Sequence, residues 1–389
     1  MTLGSLADQL HRGGAATLNH PATYGVAEGS VIAPARYAGR NGSEFVFETR
    51  FIADEFRTTT LIDSKQSQSN RSEDGLLAAR RDGGPATLIP AIAVAYGERT
   101  LLDWHLPHRS FDAHIRAGTQ DGAPVVDQPW YRALRDATEA DLSPVFTTSP
   151  ITLAFGGWDS SRKSGQLRLR SLYVSELFGL VSEDAGRRLS ERSGARLDPL
   201  GQDFHVTPDE YEALLDRQRE HMSSKTVKKL EAELAKARKD KKEPTLSAAS
   251  LGLGGIPPAL ETAYGVSVPE VRRARTFSLA GLRRLRFGGS AEDDIAARTA
   301  LLAVLLVGAA YSDADPEIRA YCDLMAPRAT VLLDDEPVEL DLSIDATTAF
   351  LAEAIDALPA RLAWTGQTQA IEGDPSLDRG ASAEADADE

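Results

Sequence analysis

Eleven consecutive residues, Ala300 to Ala310, carry neither a charge nor a hydrogen-bonding side chain. A stretch apolar on every side must be buried, and with the residues before it the pattern predicts a core helix over 291–310. The run is about half the roughly 20 residues a bilayer span requires, so no membrane segment is expected. Around this helix the 389-residue chain is 42% hydrophobic and 26% charged, a globular balance that excludes wholesale disorder. Its single cysteine, Cys322, excludes a disulfide framework and any metal site built from several thiolates. No basic-then-apolar leader with a small-residue cleavage site is apparent, and the expectation is a soluble cytoplasmic protein.

The net charge of −15 is unevenly spread. Residues 151–290 hold 24 basic and 18 acidic side chains, whereas residues 333–389 hold 2 basic and 15 acidic. A basic middle on an acidic protein permits polyanion binding without demanding it.

Strand and helix signals are mixed along the chain, the signature of an α/β (α+β) fold. Residues 1–43 read as loop with short elements. Glu44 to Phe56 alternates like a strand or hairpin arm, and Ala86 to Tyr96 reads as a buried strand broken by Pro90. Asp63 to Arg80 reads as a polar helix capped by Asp63. Gln166 to Ser171 alternates Leu with Arg like a half-buried strand. Thr207, Pro208 and Glu210 form a helix start with a capping box. The charged arm that follows to Glu243 carries a narrow apolar seam at Val227, Leu230, Leu234 and Ala237. Leu251 to Pro258 reads as a flexible loop, and Ala329 to Leu342 as a hairpin turning at Asp334-Asp335-Glu336. The expected organisation is a first part over 1–206, a charged helical insertion over 207–243, a second part over 244–365, and a disordered acidic tail over 366–389.

Three clusters suit a phosphate backbone. The first is Trp158, Ser160, Ser161, Arg162, Lys163, Ser164 and Gln166, followed by Arg168 and Arg170, beside Gly156, Gly157 and Gly165. Glycines permit close backbone approach, hydroxyls and amides bond phosphate oxygens, and an indole stacks on a base. An ordinary polar hairpin, its arginines paired across a sheet, has the same composition. The second is Ser64, Lys65, Gln66, Gln68, Asn70 and Arg71, which equally describes a solvated helix face. The third is Arg283, Arg284 and Arg286, on a strand edge or surface helix. A different chemistry is offered by Asp103, His105, His108, Asp112 and His114, which contain metal-ligand types; Pro107 prevents regular helical spacing there. No dinucleotide, P-loop or nucleophile-elbow string occurs, and no cofactor or metal is expected.

Taken together, "FRTTTLIDSKQSQSNRSE" from Phe56, "ADLSPVFTTSPITLAFGGWDSSRKSGQLRLRSLYVSE" from Ala140 and "FSLAGLRRLRF" from Phe277 resemble the RAMP-superfamily backbone subunit of the type I-U (I-G) CRISPR Cascade. "PHRSFDAHIR" from Pro107 fits the same pattern. The resemblance covers about residues 45–180 and 250–310; the 207–243 arm and the acidic tail depart from it. It implies a modified RNA-recognition-motif (ferredoxin-like) palm with large insertions. It also implies a non-enzymatic subunit that stacks head to tail along a guide RNA (crRNA) and presents it for pairing with target DNA. The implied neighbours are further copies of itself, the large and guide-end-capping subunits and, indirectly, a helicase–nuclease. Related type III backbones cut RNA, so a metal-dependent RNA endonuclease using residues 103–114 stands as the alternative.

Overall fold

In the computed structural model the apolar run lies inside a 24-residue helix, Ala291–Ala314. The residues described are 2–27, 29, 31–39, 42–160, 162, 165–184, 187–194, 204–239, 245–253 and 259–378. Ser290 opens the helix with a capping box, its hydroxyl accepting from the Asp293 amide at 3.1 Å. Every residue from Ala297 to Ala310 is buried. By length and composition this helix could cross a membrane, yet 78% of its most apolar window is buried inside the protein.

The chain divides into two units, residues 1–188 with 265–378, and residues 189–264. The larger unit is an α+β structure. Its main elements are β1 (Thr17–Asn19), β2 (Ala22–Tyr24), β3 (Phe47–Ile52), β4 (Glu55–Asp63), α1 (Lys65–Asp82), β5 (Tyr173–Leu180), β6 (Val271–Ser278), α2 (Ala291–Ala314), β7 (Arg328–Ala329), β8 (Val331–Leu333), β9 (Glu336–Val338) and α3 (Ile344–Asp356). One antiparallel sheet runs β9-β8-β1-β6-β5-β4-β3, with β2 pairing β6 and β7. His20-Pro21 separates β1 from β2, because proline has no amide to give the ladder; Thr330 separates β7 from β8. The central path is therefore strand (17–24), α1, β5, β6, α2, strand (328–333), and the spatial order of its strands is fourth, first, third, second.

Helices α1 and α2 pack on each other through glycines. A Cβ on Gly308 would lie 2.6 Å from the Ser72 carbonyl oxygen, and one on Gly75 would lie 2.6 Å from the Gly308 carbonyl oxygen. Neither opposing atom can rotate away.

Strand β6 alternates as expected of a half-buried strand, but its buried face carries Arg273 and Arg275 with Val271 and Phe277. Asp313 at the end of α2 receives Arg275 through both guanidinium nitrogens, at 2.7 and 2.8 Å, and also Arg273. Arg273 further donates to the Tyr24 hydroxyl at 2.7 Å. Burial works against ionising Asp313, but Arg275 and Arg273 prevail and hold its carboxyl below the usual range. Burial and the same two arginines push neighbouring His20 down to about 4, so its imidazole is neutral.

Several expectations need correction. Helix α1 begins at Lys65 with Ser64 as its cap; Asp63 ends β4 instead and is fully buried. Only Arg168–Leu169 of the expected 166–171 strand is extended, because Arg170 and Ser171 leave the ladder. Residues 366–378 are ordered, not part of a disordered tail. Thr368–Glu372 runs parallel to the Ala91–Tyr96 strand and buries Ile371. It supplies the partner that strand lacks on that side, which the acidic local composition does not reveal. Residues 379–389 lie outside the described ones.

In the smaller unit the arm is two helices, Pro208–Gln218 and Ser224–Ala237. Thr207 and Glu210 form the expected capping box, the Thr207 amide donating to Glu210 at 2.8 Å. Ser223 restarts the chain as the second cap, accepting from the Thr226 amide at 3.1 Å. The seam residues Leu230 and Leu234 pack with Tyr211, Leu215, Leu246 and Leu251 in a small core.

The glycine crossing yields a test. Gly308→Ala gains about 1 kcal/mol of helix propensity but meets a fixed carbonyl, and overpacking of that kind costs about 1–3 kcal/mol. The expected net result is a lower urea midpoint with an unchanged slope; a raised midpoint would show that the helices separate freely.

Candidate nucleic-acid interface

The helix Pro150–Phe155 stops at Gly156, whose φ of +92° favours glycine. A Cβ there would sit 2.8 Å from the Ser171 amide nitrogen, so the chain turns tightly into Gly157-Trp158. These two residues pair with Arg168–Leu169, placing Trp158 opposite Arg168. The Arg168 guanidinium lies over the indole, 4.5 Å from its centroid. Trp158 Nε1 donates to Gln166 Oε1 at 3.2 Å, and Gln166 Nε2 donates to the Ser160 carbonyl at 3.3 Å. Trp158 remains 46% exposed.

Arg170 reaches back to β6, donating to Ser278 Oγ at 2.6 Å, and stays exposed. The short helix Leu279–Leu282 then brings Arg284 alongside. Trp158, Arg168, Arg170 and Arg284 line one groove of about 430 Å³ whose apolar wall includes Leu142, Leu153, Leu169, Leu172 and Leu285. Among the described residues Glu139 is the one acidic residue lining it. Three cations and an exposed indole against an apolar wall are what a single-stranded nucleic acid needs: charge for phosphates and a face for bases. The first and third sequence clusters thus meet in space, although more than 110 residues separate Arg170 from Arg284.

Other members of these clusters point elsewhere. Arg162 donates to Asp136 at 2.7 Å and to the Arg135 carbonyl, so its charge serves the end of the Pro129–Arg135 helix. Arg283 is spent on the carbonyls of Gln9 and Ala15, at 2.7 and 2.6 Å. Arg286 is exposed and pairs with Asp294 at 3.5 Å. Ser160 is exposed beside the groove-forming hairpin. Ser161, Lys163 and Ser164 lie outside the described residues.

Helix α1 divides by face. Lys65, Gln66 and Asn70 are exposed, and Ser64 is occupied as the cap, accepting from the Ser67 amide at 3.2 Å. Gln68 is buried, giving its amide to Asp63 at 2.7 Å and accepting from Ser175 Oγ at 2.9 Å. Arg71 donates to Asp63 at 3.0 Å and to the carbonyls of Glu317 and Ile318. Gln68 and Arg71 therefore satisfy a buried carboxylate and are withdrawn from any interface. None of residues 64–71 lines the Trp158 groove.

Arg109 is the residue that composition does not single out. At φ +48° it aims a guanidinium inward, donating twice to Glu73 at 2.7 Å and to the Gly156 carbonyl at 2.9 Å. One side chain thereby fixes the Gly156 turn to α1. The string around Arg109 stands out in the sequence, but its left-handed backbone does not.

The 103–114 cluster disperses. Asp103 is fully buried and accepts from the Ile92 amide at 3.0 Å and from Ser149 Oγ. His105 is exposed and its Nδ1 accepts from the Leu102 amide at 3.0 Å. Asp112 caps the short Ala113–Arg116 helix, and His114 Nδ1 meets the Tyr96 hydroxyl at 2.6 Å. His108 is exposed. Among the described residues no group of three or more His, Cys, Asp and Glu is placed to hold a metal.

Residues 19–183 match a protein family described as CRISPR-associated protein GSU0053 (Cas_GSU0053). The match supports a CRISPR-associated protein. It takes in α1, Arg109 and the Trp158 hairpin and stops short of Arg284. No curated protein matches the chain.

Two tests arise here. Neutralising Arg168, Arg170 and Arg284 to Gln should weaken single-stranded RNA binding on all sequences alike. The salt slope should fall by about 0.7 per cation, whereas Arg162→Gln should leave it unchanged. Filter binding across a salt series distinguishes the two, and an Arg162 effect equal to the others would displace the groove. Separately, burial pushes the Asp103 carboxyl up to about 7 against the opposing Ser149 hydrogen bond. Because the folded value exceeds the unfolded one, its stabilising contribution is complete below about pH 4 and lost as pH rises to about 7. Wild type should lose up to about 1.4 kcal/mol per unit over that window relative to Asp103→Asn. Parallel stability profiles in urea would refute an ionisable Asp103.

Proposed function

We propose that this chain is the guide-RNA-binding backbone subunit of a type I-U (I-G) CRISPR surveillance complex, repeated along the guide and non-enzymatic. The observation that carries the reading is the groove, where Trp158, Arg168, Arg170 and Arg284 gather cations and a stacking face without a base-reading set of amides. The central strand–helix–strand–strand–helix–strand path, in the spatial order fourth, first, third, second, supports a ferredoxin-like RNA-recognition palm beneath it. The matched CRISPR-associated family supports the same direction.

A subunit that holds every segment of a guide alike must meet its neighbour through two different surfaces, and such heterologous contacts propagate an open helix. The hairpin of β3 and β4 supports such a contact. Its turn places Ala53 and Asp54 at φ +51° and +64°, and the flanking Phe51 and Phe56 stack edge to face at 5.2 Å. They are 63% and 75% exposed, an apolar knob that water solvates poorly and that a second copy would cover. Outside residues 151–290 the net charge is −21, so protomers repel until guide RNA neutralises the basic part. Target DNA pairs with the displayed guide. The large and guide-end-capping subunits close the array, and a helicase–nuclease acts on it from outside.

Native mass spectrometry with guides of increasing length tests this reading. Particle mass should rise in whole protomer steps with guide length and fall back at high salt. A mass independent of guide length would overturn it.

A further inference from the structure

The smaller unit carries a basic surface of its own. Between Ser224 and Lys239 the sequence has six basic and two acidic side chains. At about 100° per residue, Lys225, Lys229, Ala232 and Lys236 fall within about 40° of one line along the helix, with Lys228 just beside it, and Lys239 follows in the turn after the C-cap Arg238. Leu230 and Leu234, which enter the small core, lie on the opposite side. The outer face is thus lysine separated by alanine, with no acid in the stripe.

Two arginines of this unit behave differently. Arg219 is held by Asp216 and Glu231, and Arg238 by Asp209 and Glu212, at 3.0 Å and 2.7 Å in the second case. These pairs tie one helix to the other and occupy neighbouring carboxylates. Among the described residues Lys228, Lys229, Lys236 and Lys239 form no ion pair, and all four are exposed. Like charges three or four residues apart cost a helix about 0.2–0.5 kcal/mol per pair. An ordinary solvated face avoids that cost by mixing signs; this one, on a protein of net charge −15, concentrates one sign.

We propose that this lysine face binds the phosphate backbone of double-stranded DNA without reading its sequence. A rigid helix presents its charges as a straight row, about 12 Å from Lys228 to Lys236. A duplex offers a matching continuous line, about one phosphate charge per 1.7 Å. The face holds no aromatic and no amide side chain, so it lacks the stacking platform that single strands require. Lysine suits the role as a hydrated, mobile point charge that tolerates any local phosphate geometry. The site is separate from the Trp158 groove in residues and in ligand, and the inference does not depend on the guide-RNA reading.

The test uses the full chain and a mixed-sequence 24-base-pair DNA duplex, with fluorescence anisotropy over a salt series. Changing Lys228, Lys229, Lys236 and Lys239 together to Gln should weaken duplex binding at least tenfold and lower the salt slope by about 3 to 4. The same four changed to Arg should retain it, which separates charge from folding. Affinity for a single-stranded RNA should be unaffected by the Gln changes, and an Arg168→Gln/Arg284→Gln variant should show the reverse pattern. Unchanged duplex affinity and slope in the Gln variant would overturn the proposal. So would an equal loss of single-strand binding, or a polyglutamate peptide that binds the wild-type face more tightly than the duplex does.

Discussion

One buried ion pair holds the groove to the rest of the larger unit. Glu73 and Arg109 have side chains only 5% and 12% exposed, and their two 2.7 Å hydrogen bonds join α1 to the short turn Arg109–Phe111. Burial pushes the Glu73 carboxyl up, with Arg109 pulling the other way. Removing ions from water is costly, so such a pair adds little net stability over an apolar substitute. Losing one partner is different, because the charge left behind costs about 3–5 kcal/mol. Arg109 also donates to the Gly156 carbonyl, so what it secures is position: the Trp158 hairpin leaves α1 and the helix Pro150–Phe155 at a fixed angle.

A second buried cluster orders the sheet. Arg273 and Arg275 on β6 share Asp313, which ties the middle of the sheet to the end of α2. Strand β6 leads directly into Leu279–Leu282 and Arg284, and Arg170 is bonded to Ser278 at its end. The wall of the groove is thus anchored at one side by Arg109 and at the other by the strand that Asp313 fixes. Cations inside the protein place the cations outside it.

The sequence was legible where structure is local. The apolar helix, the Thr207 capping box, the hairpin turning at Asp334 and the seam at Leu230 and Leu234 each depend on neighbours within about one or two turns. What could not be read depends on the sheet. Gln68 and Arg71 look like a solvated polar row until Asp63 is seen to be buried and in need of donors. Arg162 and Arg283 look like their neighbours Arg168 and Arg284, and only the positions of Asp136 and of the Gln9 and Ala15 carbonyls separate them. The groove itself is a long-range object, assembled by the antiparallel register of β5 on β6. The strand at 368–372 leaves no local signal because its partner lies 277 residues earlier.

The division of labour between the two cation types has a physical basis. Arginine is always charged, weakly hydrated and forked, so it tolerates burial wherever a carboxylate or several carbonyls meet its geometry. Arg71, Arg109, Arg273, Arg275 and Arg283 are all used this way, and a basic cluster rich in arginine therefore overstates the free positive surface. Lysine loses more on desolvation and gains less from a planar partner, so it stays in water unless a ligand arrives. Exposed lysine without a carboxylate nearby is then the better indicator of a polyanion surface than arginine density. By that criterion the four exposed lysines of the smaller unit, which form no ion pair among the described residues, are an available basic face.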